Sequence, residues 1–236
     1  MPRIANPTEI VEILYDKLKV SQWDTIMRGY MKGSDFKNIF SYLLHEVEEG
    51  DRFTPPIRYL IEPFIHCPYN DLKVVFVADS PYNAINVANG LAFSHPVSKS
   101  KELALRVLHN KVVSEVYNDK KQVNQFNTDL RVWAEQGVLL LNASMTTTIN
   151  NACTHYDLWK GFYSYMFDML DSKNDNLVYV FFGTNSQYFN DLIDTDKNLL
   201  IELENPDDIG YKWNSEDLFN KINGFLEKNG KQKIVW

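Results

Sequence analysis

Leu72-Lys73-Val74-Val75-Phe76-Val77-Ala78 runs directly into Asp79-Ser80-Pro81-Tyr82-Asn83. The first seven residues are short, β-branched and apolar without alternation, which predicts a strand buried on both faces. The next five are turn chemistry. Three more runs read the same way: Gly137–Asn142, Asn176–Gly183 and Asn198–Leu203. Between them lie stretches of helical period around Glu102–Val116, Phe126–Glu135, Leu158–Leu170 and Ser186–Leu192. Four buried strands separated by helices predict an α/β fold, with a mostly parallel four-stranded sheet covered by helices on both faces.

Upstream, apolar Ile10, Val11, Ile13, Leu14 and Leu18 share one helical face, predicting a helix over Thr8–Met31. A second is expected from Ser34 to Gly50, and a third over Ile57–Phe64 behind Pro55-Pro56. With no repeat, low-complexity tract or Pro/Gly-rich linker, the 236 residues read as one domain, residues 1–70 being its helical N-terminal part. At 44% hydrophobic and 23% charged the chain is not disordered. No apolar run approaches the ~18–20 residues that span a bilayer, and the N-terminus lacks the regions of a signal peptide. Cys67 and Cys153 fit no metal or redox spacing, so reduced thiols in a cytoplasmic setting are expected. Five scattered histidines give no metal motif, and neither a P-loop, a dinucleotide fingerprint nor a nucleophile elbow occurs. No metal or cofactor is expected.

In such sheets ligands bind beyond the carboxyl ends of the strands, so the loops Asp79–Asn83, Asn142–Thr147, Gly183–Asn185 and Glu204–Gly210 are the place to look. Each residue there carries two readings. Asp79 to Asn83 is a proline turn in which Asp79 caps something, or a site. Asn142 is a turn residue, or a fixed amide reading a pyrimidine edge. Phe93 in Gly90-Leu91-Ala92-Phe93-Ser94 is core, or a stacking platform. His155 bonds a neighbouring loop, and Glu202, Glu204, Asp207 and Asp208 form a solvated acidic face.

Taken together these segments resemble the uracil-DNA glycosylases whose first motif is GQDPYH. Ala78-Asp79-Ser80-Pro81-Tyr82-Asn83 occupies that motif's place, and Gly90-Leu91-Ala92-Phe93-Ser94 is similar to GLxFS. Leu130-x-x-Trp133-Ala134-x-Gln136-Gly137-Val138-Leu139-Leu140-Leu141-Asn142 follows the family pattern almost letter for letter. His155 with Leu158, Trp159 and Phe162 resembles HxxLGW, shortened by one residue, and Asn205-Pro206-Asp207-Asp208-Ile209-Gly210 sits where the family has HPSPLS. The resemblance runs from Trp23 to Trp236; order and spacing carry it, no single motif does.

It implies a pocket for an everted base. Phe93 would stack on the base, Asn142 would bond its polar edge, and Tyr82 would crowd a thymine methyl. Ile209 would fill the vacated stack, with Ser98 and His155 among the DNA contacts. The departures fall on the chemistry: the family's water-positioning aspartate aligns with Ser80, and its catalytic histidine with Asn205. The expectation is therefore weak, altered or lost uracil excision, with a DNA- or protein-binding role. The alternative is an active glycosylase acting on uracil or a modified pyrimidine, with Asp79 positioning the water. A third reading is an acidic mimic of DNA. The net charge of −7, with Asp207 and Asp208 facing phosphates, is expected to weaken docking on duplex DNA, leaving single-stranded or modified-base DNA, or a protein, as partner. The Asn-, Asp-, Lys- and Tyr-rich composition would suit an AT-rich viral genome, and the setting would then be the host cytoplasm.

Overall fold

The computed structural model describes residues 6–95, 103–117, 127–208, 213 and 215–236. The chain opens with α1 (Pro7–Leu18), started by a capping box in which Asn6 Oδ1 accepts the Glu9 N–H at 2.9 Å. The single helix expected over Thr8–Met31 is in fact two. A 3₁₀ turn at Lys19–Ser21 ends with Gln22 at φ +61°, and α2 (Asp24–Met31) starts afresh. A polar residue in the left-handed region breaks the helix where no Gly or Pro announces it. Helix α3 (Ser34–Glu49) closes on Gly50 at φ +101°. The third expected helix is a 3₁₀ turn at Ile57–Tyr59 followed by α4 (Glu62–His66).

Two short strands, β1 (Phe53–Thr54) and β4 (Thr147–Thr148), pair antiparallel. The main sheet is built from β2 (Val74–Ala78), β3 (Val138–Asn142), β5 (Val178–Phe182) and β6 (Leu199–Leu203) in the order β3-β2-β5-β6, every pair parallel. The first three are buried at every position, as runs without alternation require. Its helices are α5 (Leu103–Val112), which continues as a π-helical turn, the short α6 (Arg131–Ala134), α7 (Tyr156–Lys173), the short α8 (Thr184–Gln187), and α9 (Leu218–Lys228). No described helix is long and apolar enough to cross a membrane.

The chain leaves β2 for β3 on one side and returns to β5 on the other, so the sheet has its switch point at β2, where Asp79–Asn83 emerges. Buried aromatics fix this edge: Phe76 meets Phe182 edge-on at 5.3 Å and stacks on Trp236 at 5.9 Å.

Candidate active site

A cavity of about 260 Å³ opens at the carboxyl ends of the strands. It sits just below the ~300–1,000 Å³ usual for small-molecule sites, which suits a single ring. Its wall includes Asp79, Ser80, Tyr82, Phe93, Cys153 and Asn205. Two larger hollows lie elsewhere, beside Trp236 and Trp213. Position decides between them, since only the smaller one gathers the polar loop ends of the sheet.

The aromatic side of the cavity is built by one contact. The Tyr82 hydroxyl donates to the Phe93 carbonyl at 3.0 Å. That bond pins a residue in the left-handed region, Phe93 at φ +63°, a conformation that is strained for a bulky side chain. The Phe93 ring also meets Phe182 edge-on at 5.1 Å. Asn142 is not among the cavity-lining residues. It ends β3 in register with Ala78, which is one, and it is 4% exposed. Its backbone carbonyl accepts from the Tyr163 hydroxyl, and among the described residues none hydrogen-bonds its side-chain amide.

Asp79 is a helix cap. Its Oδ1 accepts the N–H groups of Asn185 at 3.0 Å and Ser186 at 3.2 Å, in the first turn of α8. It also bonds the Asn205 side chain. The arrangement depends on Gly183 at φ +88°, where an added Cβ would sit 2.1 Å from Asp79 Oδ2. Burial lifts the carboxyl above its ordinary value, while the Ser186, Asn185 and Asn205 hydrogen bonds pull the other way.

Asn205 is held from two sides, its Oδ1 accepting the Asp207 N–H at 3.2 Å while its side chain bonds Asp79. Because Oδ1 is occupied and the other partner is a carboxylate, the amide nitrogen faces Asp79 and keeps one N–H to offer. Ser80 Oγ reaches the Pro81 carbonyl only at 3.5 Å and also bonds the Cys153 thiol. That thiol lines the cavity, and burial raises its value against the hydrogen bonds of Ser80 and Asn185, so it is no thiolate. Sequence reasoning missed Cys153. Its placement two residues before His155, in the loop that follows β3 and β4, was the available signal.

His155 corrects an expectation. It is 1% exposed, with Nδ1 2.8 Å from Thr146 Oγ1 and Nε2 2.9 Å from Glu46 Oε2, so its ring cannot meet a phosphate from inside the protein. It ties α3 to the start of α7. Burial depresses its value and the neighbouring Glu46 opposes that. The unfolded chain therefore binds more protons at acid pH, and stability falls as pH drops from the ordinary value of 6.5 to the depressed folded one. The urea midpoint is expected to decline as pH falls below about 6.5, with a shallower decline in His155→Gln. An unchanged slope in the variant would assign the loss elsewhere.

The acidic face is also only half solvated. Glu202 accepts from the Asn190 amide and Glu204 Oε2 accepts the Trp213 N–H at 2.8 Å, whereas Asp207 and Asp208 are exposed. Ile209 and Ser98 lie outside the described residues. Among the described residues no group of His, Cys, Asp and Glu stands together to hold a metal.

No protein-family profile matches the chain. Individual proteins do. A uracil-DNA glycosylase of Clostridioides difficile is 30% identical over 220 residues, covering 92% of this chain and 96% of its own. One from Campylobacter jejuni is 29% identical, covering 97% and 98%. The crystal structure of mimivirus uracil-DNA glycosylase superposes with a TM-score of 0.80 at 23% identity, over 96% of this chain and 92% of that one, which speaks to the fold. A variant of that viral protein is solved in complex with UGI. With end-to-end coverage, the same sheet and a ring-sized cleft at its switch point, the chain belongs to the uracil-DNA glycosylase family.

Proposed function

We propose that the protein holds an everted pyrimidine of DNA in this cleft and breaks its glycosidic bond weakly or not at all. The observation that carries the reading is the state of Asp79, the carboxylate that lines the cleft from the end of β2. Asp79 spends Oδ1 on two backbone amides and bonds Asn205 as well, while the next residue, Ser80, offers only a hydroxyl. A hydroxyl orients water but cannot offset the positive charge that builds on the sugar. Phe93 serves as the stacking face, Tyr82 as the methyl sensor through its bond to Phe93, and Asn142 as the reader of the polar edge. Asn205 donates its remaining N–H to a base oxygen. Single strands are the favoured form, because eversion costs least there and the exposed Asp207 and Asp208 repel a second strand's phosphates. Ile209 as wedge and Ser98 as backbone contact complete the proposal, with the cytoplasm as setting.

A second reading, an active glycosylase using Asp79, is favoured by one observation: burial raises that carboxyl toward the range of a general base. A protein partner is also proposed, supported by the UGI complex of the viral relative.

The test incubates the protein with uracil-containing single-stranded DNA, measuring binding and scoring abasic sites. Binding with few or no abasic sites is expected, and Phe93→Ala is expected to weaken binding about 5- to 150-fold, the range of base–aromatic stacking. Rapid, complete conversion to abasic sites by the unaltered protein would overturn the proposal in favour of the second reading.

A further inference from the structure

Next to the cleft, on the far side of Asn185, three side chains form a shelf. The backbone of Asn185 joins the two places: its N–H caps onto Asp79, and its carbonyl accepts the Tyr156 hydroxyl at 2.9 Å. Tyr156 begins α7, Lys160 follows one turn later on the same face, and Tyr188 is the C-cap just after α8. The Lys160 ammonium lies 4.7 Å from the centroids of both tyrosine rings, which meet edge-on at 6.3 Å. The Tyr188 ring is backed by Phe189 at 5.3 Å, yet the residue is 61% exposed.

A large ring kept in water but fixed by a neighbour and a cation presents a π-face at little entropic cost. The ammonium is also available. Its partner is Asp157, at 2.7 Å, and that carboxylate is 89% exposed. The lysine side chain is 33% exposed; with its partner carboxylate in water the pair contributes little, and a phosphate can take the carboxylate's place. An aromatic face for a base beside a cation for its phosphate is the recognition unit of single-stranded nucleic acid.

We infer that Tyr188 and Lys160, backed by Tyr156, form a subsite for single-stranded DNA, stacking a base next to the one held in the cleft and binding its phosphate. The inference rests on the cleft reading above for the identity of the strand.

The experiment measures affinity of the whole chain for a fluorescent single-stranded oligodeoxynucleotide across a salt series. Tyr188→Leu is expected to weaken binding about 5- to 150-fold and Tyr188→Phe to retain it, because the ring and not the hydroxyl is used. Lys160→Gln is expected to lower the slope of log affinity against log salt by about 0.7, one phosphate's share on a single strand; a purely structural lysine would leave that slope alone. Phe93→Ala separates the two sites. If it weakens binding while the Tyr188 and Lys160 variants bind as the parent does, the shelf is overturned and the cleft stands. If the shelf variants weaken binding and Phe93→Ala does not, the shelf stands and the cleft reading falls. Absence of binding by the parent at low salt overturns both.

Discussion

Replacing Ser80 by Asp and Asn205 by His together is expected to speed abasic-site formation on uracil-containing single-stranded DNA by at least about 100-fold. A positioned carboxylate acting as base supplies typically ~100- to 10,000-fold, and one well-placed donor to a developing anion ~100- to 1,000-fold. The combination falls short of their product because both act in one transition state. The neighbourhood favours the change. Ser80 borders the cavity and its hydroxyl makes only a long contact to Pro81 and a bond to the Cys153 thiol, so a carboxylate there displaces no strong interaction. Asp79 already carries two amide hydrogen bonds, which hold its charge in place beside a second carboxylate. An imidazole at position 205 would face Asp79, as the Asn205 amide does now. That partner keeps the ring protonated and able to donate to the leaving base. Single-turnover rates of the parent, each single variant and the double variant check this. A parent already as fast as the double variant would show that Asp79 suffices and that the substitutions at 80 and 205 cost nothing.

The fold was legible wherever one local rule decided it. Val74–Ala78, Val138–Asn142 and Val178–Phe182 are apolar at nearly every position because both faces are covered, and a run of that kind has no other stable home in a soluble sheet. The sheet order was not legible, since strand neighbours follow from how helices pack and not from the strands' own letters. The site divides the same way. Ser80 and Asn205 could be singled out through the resemblance, and a capping role for Asp79 from its turn, but not what it caps, because its partners stand 106 and 107 residues away. His155 misled for a like reason: the Glu46 that draws it inside is on α3, far back in the chain. The C-terminal helix α9 and the β1–β4 pair were also missed, the latter being two residues per strand and below any periodic signal.

Gly183→Ala is expected to destabilise the protein by at least about 3 kcal/mol, from a backbone cost and the loss of two amide hydrogen bonds. Gly183 sits at φ +88°, ψ 171°, a region essentially restricted to glycine, and forcing a Cβ there takes about 1–3 kcal/mol. The new methyl would also overlap the Asp79 carboxylate, at 2.1 Å from Oδ2 and 2.8 Å from Oδ1. The carboxylate must then leave the α8 amides, and each buried donor stripped of its acceptor costs about 1–3 kcal/mol. Gly50→Ala supplies a positive-φ comparison without overlap, since Gly50 has φ +101°, ψ 0° and nothing within 4 Å of the added atom; it should lose no more than about 1–2 kcal/mol. Urea midpoints of the two variants compare them directly. A double variant, Asp79→Ala with Gly183→Ala, should lose less than the sum of its parts by at least about 1 kcal/mol, because the overlap disappears with the carboxylate. Equal losses for Gly183→Ala and Gly50→Ala would mean that Asp79 is not anchored against α8 in solution. Asn205 would then lose the partner that turns its amide toward the cleft, and the account of a carboxylate committed to structure and lost to chemistry would fail with it.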